Sequence, residues 1–195
     1  MLHEDATCAI AYWGIALNDW SNPFAPGAKD KSQLQAGRQN AERAKAVGAK
    51  TERERAYIAA VGKLYNDFER TPQRTRLIAY RDAMGKIPAK YSDDHEAQIF
   101  YALSVAASEE PEDKTYTGRL KAGAILEKLF EEEPAHPGLA HYIIHTYDVP
   151  TLAGKGLVAA RRYSEIAPDA PHALHMPSHT FTRGPFSKRM AYFRL

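Results

Sequence analysis

One cysteine in 195 residues, Cys8, excludes an intramolecular disulfide framework and any thiolate cage around zinc. Valine is scarce, 5 residues against 32 alanines, a balance that disfavours strands and favours helices. Long apolar runs are missing too. The longest uncharged, apolar-rich stretch, Ala6 to Leu17, is far too short to span a bilayer. No excess of one charge is present: 26 Lys plus Arg against 24 Asp plus Glu leave a net charge of +2. A nucleic-acid binder usually shows a basic patch or stripe, and this balance argues against one. It equally gives no sign of a polyacidic tail or a membrane-surface protein. The opening Met1-Leu2-His3-Glu4-Asp5 has neither a basic n-region nor a cleavage site, so a cytoplasmic protein without a signal peptide is expected.

Several catalytic patterns are also absent. There is no Gly-x-Ser-x-Gly elbow. Ala153-Gly154-Lys155-Gly156-Leu157 is a lone glycine pair with no strand before it, which does not make a phosphate loop. His95-Glu96-Ala97-Gln98 has Ile99 where a zinc-protease helix needs its second histidine. No histidine near Cys8 supports a catalytic thiolate, and a small buried hydrophobe is expected there.

The residues that are present recur at helical spacing. Helices are predicted over Asp5–Asp19, Lys31–Val47, Thr51–Asp67, Thr71–Lys86, from Ser92-Asp93-Asp94 to Ser108, and over Tyr116–Glu132, His136–Tyr147, Thr151–Ile166 and Pro171–Arg183. Thr51 and Glu54 have the spacing of a capping box. Short connections and prolines at helix starts point to successive helix hairpins. The aromatic residues sit mostly at helical spacing and are expected in the core.

A repeat marks the last two hairpins. His136-Pro137-Gly138-Leu139-Ala140-His141-Tyr142-Ile143-Ile144-His145 aligns with Ala170-Pro171-His172-Ala173-Leu174-His175-Met176-Pro177-Ser178-His179 at an offset of 34 residues. That offset is the tetratricopeptide (TPR) period. On these segments, with Ala11-Tyr12-Trp13-Gly14-Ile15-Ala16 and Arg53-Glu54-Arg55-Ala56-Tyr57-Ile58, the chain resembles a poorly characterised subgroup of bacterial TPR proteins. The resemblance implies an all-α, TPR-like solenoid of antiparallel helix hairpins over residues 1–183. After Phe181-Thr182-Arg183 the family's Leu-Gly turn is replaced by Gly184-Pro185-Phe186, so residues 184–195 read as an atypical tail on a piece of a longer array.

Five of the eight histidines fall between His141 and His179. Residues four apart share a helix face, so His141 pairs with His145 and His175 with His179. Asp148 extends the first stripe and His172 the second. By the resemblance, the groove-lining positions are Gly138, His141, His145 and Asp148 in one repeat and His172, His175, His179 and Thr182 in the next.

Three readings follow. In the first, His141, His145, His175 and His179 bind a divalent transition metal (Zn, Cu, Ni or Fe), with Asp148 as an oxygen ligand, in a metal-binding protein or a metal-dependent enzyme. In the second, His141, His145, Asp148, His172, His175 and His179, with Tyr142, Tyr147 and Arg183, line the concave groove of a scaffold for a peptide or an anionic or aromatic small molecule. In the third, the histidines are packing residues. Pro177 admits two readings, a simple break framed by Pro171 and Pro177, or a kink that aims His179. His136, held out of the helical region by Pro137, is expected at a surface turn.

Overall fold

The structure, a computed structural model, describes residues 5–25 and 27–183. Among these residues it is all-helical and contains no strand. The predicted tail, 184–195, lies outside the described residues. No described helix is long and apolar enough to cross a membrane. The chain forms two compact units that meet in sequence at Ser108 and Glu109.

The first unit holds α1 (Ala9–Trp20), α2 (Lys31–Val47), α3 (Glu52–Lys63), α4 (Gln73–Lys90) and α5 (His95–Ala107). Neighbours in sequence pack together, α1 on α2, α3 on α4 and α4 on α5. Local signals set the helix starts. Thr51 Oγ1 accepts from the Glu54 N–H and Glu54 Oε2 accepts from the Thr51 N–H, both at 3.1 Å. This is the expected capping box, and it satisfies two of the N–H groups a helix start leaves open. Asp94 caps α5 by accepting from the Ala97 N–H at 3.1 Å. It also accepts from Arg53 Nη2 at 2.8 Å and from the Tyr57 hydroxyl at 3.2 Å, tying α3 to α5.

The core of this unit sets four buried aromatic rings among aliphatic side chains. Trp20, Tyr57, Val61, Leu64, Tyr65, Tyr80, Met84 and Ile87 are buried together, and Trp13 meets Tyr57 and Phe100 edge-on at 5.3 and 5.5 Å. Tyr65 packs against α2 at Gly37, where an added Cβ would sit 2.2 Å from its ring. Its hydroxyl donates to the Ala16 carbonyl. Cys8 is half-buried at the N-cap of α1, not deep in the core, because α1 begins one residue after it.

The second unit holds α6 (Thr117–Glu132), α7 (Pro137–Thr146), a 3-10 turn (Ala153–Gly156), α8 (Leu157–Ile166), α9 (Pro171–His175) and α10 (Pro177–Arg183). Helix α7 packs between α6 and α8, and α10 packs on α7 and α8. Two predicted helices differ here. The one expected over Thr151–Ile166 starts as a 3-10 turn, where Gly154 and Gly156 give weak helical propensity. The one expected over Pro171–Arg183 is split at Met176. Pro177 has no N–H to bond the Ala173 carbonyl, so the first piece ends and the second starts on a proline. The helix is thus broken between Pro171 and Pro177, and His179 stands on its second piece.

Candidate functional site

Helix α7 is two-faced. Leu139, Ala140, Ile143 and Ile144 are buried, and the one-residue step from that stripe puts His141 and His145 together on the next face. The two ends of α7 are held differently. His136 does sit outside the helix, but it acts as its N-cap, its Nδ1 accepting from the Leu139 N–H at 3.2 Å. At the other end Arg119 of α6 donates to the carbonyls of His145 and Thr146 at 3.1 and 2.8 Å, satisfying groups a helix end leaves open. Arg119 is itself ion-paired to Glu109 at 3.3 Å. Close behind, the buried Tyr147 packs onto α6 at Gly123, where a Cβ would lie 2.0 Å from its hydroxyl. The α7 backbone beneath the imidazoles is thus clamped from α6.

Five imidazoles converge along this face. His141 Nε2 and His172 Nε2 are 3.1 Å apart. The ring centres of His141 and His145 are separated by 4.7 Å, and those of His145 and His179 by 5.9 Å. His175 Nε2 and His179 Nε2 lie 3.3 Å apart. On its other side His179 Nδ1 meets Asp148 Oδ2 at 3.1 Å, and Arg183 forms an ion pair with Asp148 Oδ1. Taking one ligand atom from each, His141, His145 and His172 bring three donors within 4.8 Å of one another.

Burial pushes the imidazoles of His141 and His145 down to about 4, and neighbouring histidines push them the same way. Near neutral pH both rings are therefore uncharged, the form of imidazole that ligates a metal.

The residues singled out from sequence fall into groups. His141, His145 and His172 form the three-donor group. His175, His179 and Asp148 form a chain beside it. Of the four histidines expected as a metal set, two are in the tight group, and His172 takes the third place. Arg183 is committed to Asp148. Tyr142 stacks beside His141, with ring centres 5.4 Å apart. Thr182 turns back to the Ser178 carbonyl at 2.7 Å, and at Gly138 the nearest side chain is that of His136.

Two contributors were not singled out from sequence, Arg119 and Tyr163. Tyr163 of α8 stacks nearly parallel on His141, centres 5.7 Å apart and planes 13° apart. Its helical spacing with Ala159 and Ala160 marked an inward face, but no local pattern names the ring it meets.

No protein-family model, no curated protein and no solved structure matches the chain.

Proposed function

We propose that the second unit binds a divalent transition metal through His141, His145 and His172. The observation that carries this reading is the convergence of three imidazole donors within 4.8 Å. Two ligands on one tetrahedral zinc at about 2.0–2.1 Å are roughly 3.3 Å apart, close to the 3.1 Å between His141 and His172 Nε2. Small ring rotations then bring His145 onto the same ion. Imidazole suits Zn, Cu, Ni and Fe. Three protein nitrogens with a fourth position for water is the pattern of catalytic zinc sites rather than of closed structural ones. The exposed ring of His172 puts that fourth position on the solvent side. Tyr163 and Tyr142, stacked on His141, restrict its rotation.

The scaffold we propose is a TPR-like array, supported by the sequential pairing of helices and the 34-residue repeat. A second reading, a groove for a peptide or small ligand, draws on the same aromatic wall of Tyr142, His141 and Tyr163. Elemental analysis and thermal unfolding of chelator-treated, zinc-reloaded protein separate the two. The metal reading expects zinc to be retained and the protein stabilised, by about 2.7 kcal/mol at a hundredfold excess over Kd. His141→Ala combined with His172→Ala removes both effects while helicity is kept. Reloaded protein that holds only traces of metal and melts unchanged refutes it.

A further inference from the structure

Beside the three-donor group, His175 and His179 face each other across 3.3 Å between their Nε2 atoms. Four residues apart, they span the short break at Met176 and still share one side. Their separation equals the roughly 3.3 Å expected of two nitrogens on one tetrahedral ion. A simple hydrogen bond between two rings gives a similar distance, so the distance alone decides nothing. Asp148 supplies the second observation. Its Oδ2 accepts the Nδ1–H of His179 at 3.1 Å, and its other oxygen is paired with Arg183. A metal-ligating histidine almost always donates its other ring N–H to such an acceptor, which fixes the tautomer and leaves Nε2 as the ligand. Asp148 is in the wrong place to ligate the same ion, since it lies on the far side of the His179 ring. It is in the right place to orient it.

We propose that His175 and His179 hold a second divalent transition-metal ion, with Asp148 as the positioning residue of His179. The inference rests on the reading of a first ion at His141, His145 and His172. In the metal-free protein His175 donates its Nε2–H to His179. On binding, that proton moves to His175 Nδ1, and both Nε2 lone pairs turn to the ion, so no net charge or proton is lost from the pair. His175 is exposed and His179 half-buried, so water fills the remaining positions. With two protein ligands instead of three, and a first cation nearby, the second ion binds more weakly than the first.

The test is zinc stoichiometry by equilibrium dialysis of the full chain, with elemental analysis and far-ultraviolet circular dichroism as a fold check. The expected result is two ions per chain with distinct affinities. His175→Ala with His179→Ala then binds one, and Asp148→Ala weakens only the second, by about 10–100-fold, with partial recovery in Asp148→Asn. If the double variant loses helicity, His175→Ala alone, at an exposed ring, gives the same reading. Saturation of the parent chain at one ion that is lost with His141→Ala but kept with His175→Ala overturns the second site and leaves the first standing. A double variant that still binds two ions also overturns it. No uptake at all overturns the first site and this one together.

Discussion

The packing of Tyr65 on Gly37 makes a sharp test of the first unit. Replacing Gly37 with alanine places a Cβ 2.2 Å from Tyr65 Cε1 and Cζ and 2.5 Å from its hydroxyl, against an ordinary carbon–carbon contact of about 3.5–4.0 Å. Tyr65 is 1% exposed, so the ring is held by packing and has to shift to make room. Overpacking of this kind costs about 1–3 kcal/mol. Displacing the ring also breaks the hydrogen bond from its hydroxyl to Ala16, worth about 1 kcal/mol. The gain in helix propensity from glycine to alanine offsets about 1 kcal/mol. The net expectation is a loss of about 1–3 kcal/mol, a fall in Tm on the order of 10 °C for a unit of this size. Gly14 is the matched control. It lies in the interior of α1 with nothing within 4 Å of an added Cβ, so the same substitution there stabilises by about 0.5–1 kcal/mol. The assay is urea unfolding followed by tryptophan fluorescence. Both tryptophans of the chain, Trp13 and Trp20, lie in α1, so the signal reports this unit. A Gly37→Ala midpoint at or above that of the parent chain refutes the packing argument.

Other perturbations have equally definite signs. In metal-free protein, His141 and His145 stay uncharged down to about 4 in the folded state but take up protons near 6.5 when unfolded. The unfolded state therefore binds more protons between these values, and stability must fall as pH drops from about 6.5 towards 4. Urea midpoints at a series of pH values, followed by circular dichroism, should show this slope, and it should flatten in His141→Gln with His145→Gln; equal slopes in both proteins sink the assignment. Thr51→Ala removes the capping box of α3 and should cost about 1 kcal/mol. Asp94→Ala removes a cap and also leaves Arg53 and Tyr57 without this acceptor, so it should cost more than Thr51→Ala in the same titration; the reverse order contradicts the network. Arg119→Ala uncovers the last carbonyls of α7. It should weaken zinc uptake as well as stability, and unchanged uptake means the α6 clamp does not position the imidazoles.

Where a structural feature depends on neighbours along the chain, the residues announce it. Helix α2 occupies the predicted Lys31–Val47, Thr51 and Glu54 form the box their spacing requires, and Pro137 and Pro171 each sit at a helix start. The pairing of His141 with His145 and of His175 with His179 is likewise a property of one turn of helix. What depends on packing between helices is not written locally. Arg119 and Tyr163 reach the site from α6 and α8, and their own helices give no sign of which residue they meet.

The 34-residue repeat shows the same limit from the other side. It identifies equivalent positions, so His141 corresponds to His175 and His145 to His179. Equivalence is not contact: the atoms that meet are 31 residues apart, His141 with His172 and Asp148 with His179. The contacts fall three residues, about one turn, short of the repeat offset, and one turn earlier than His175 is His172. The break at Pro177 then divides the labour. Residues before it, with His172 foremost, face the first turns of α7, while His179 and Arg183 after it face the end of α7 at Asp148. Because α7 is a single rigid helix and its partner is two short pieces, the histidines gather as two adjacent groups along one face instead of one four-histidine ring. The two proposed ion sites, a three-donor centre and a neighbouring donor pair, both rest on that arrangement.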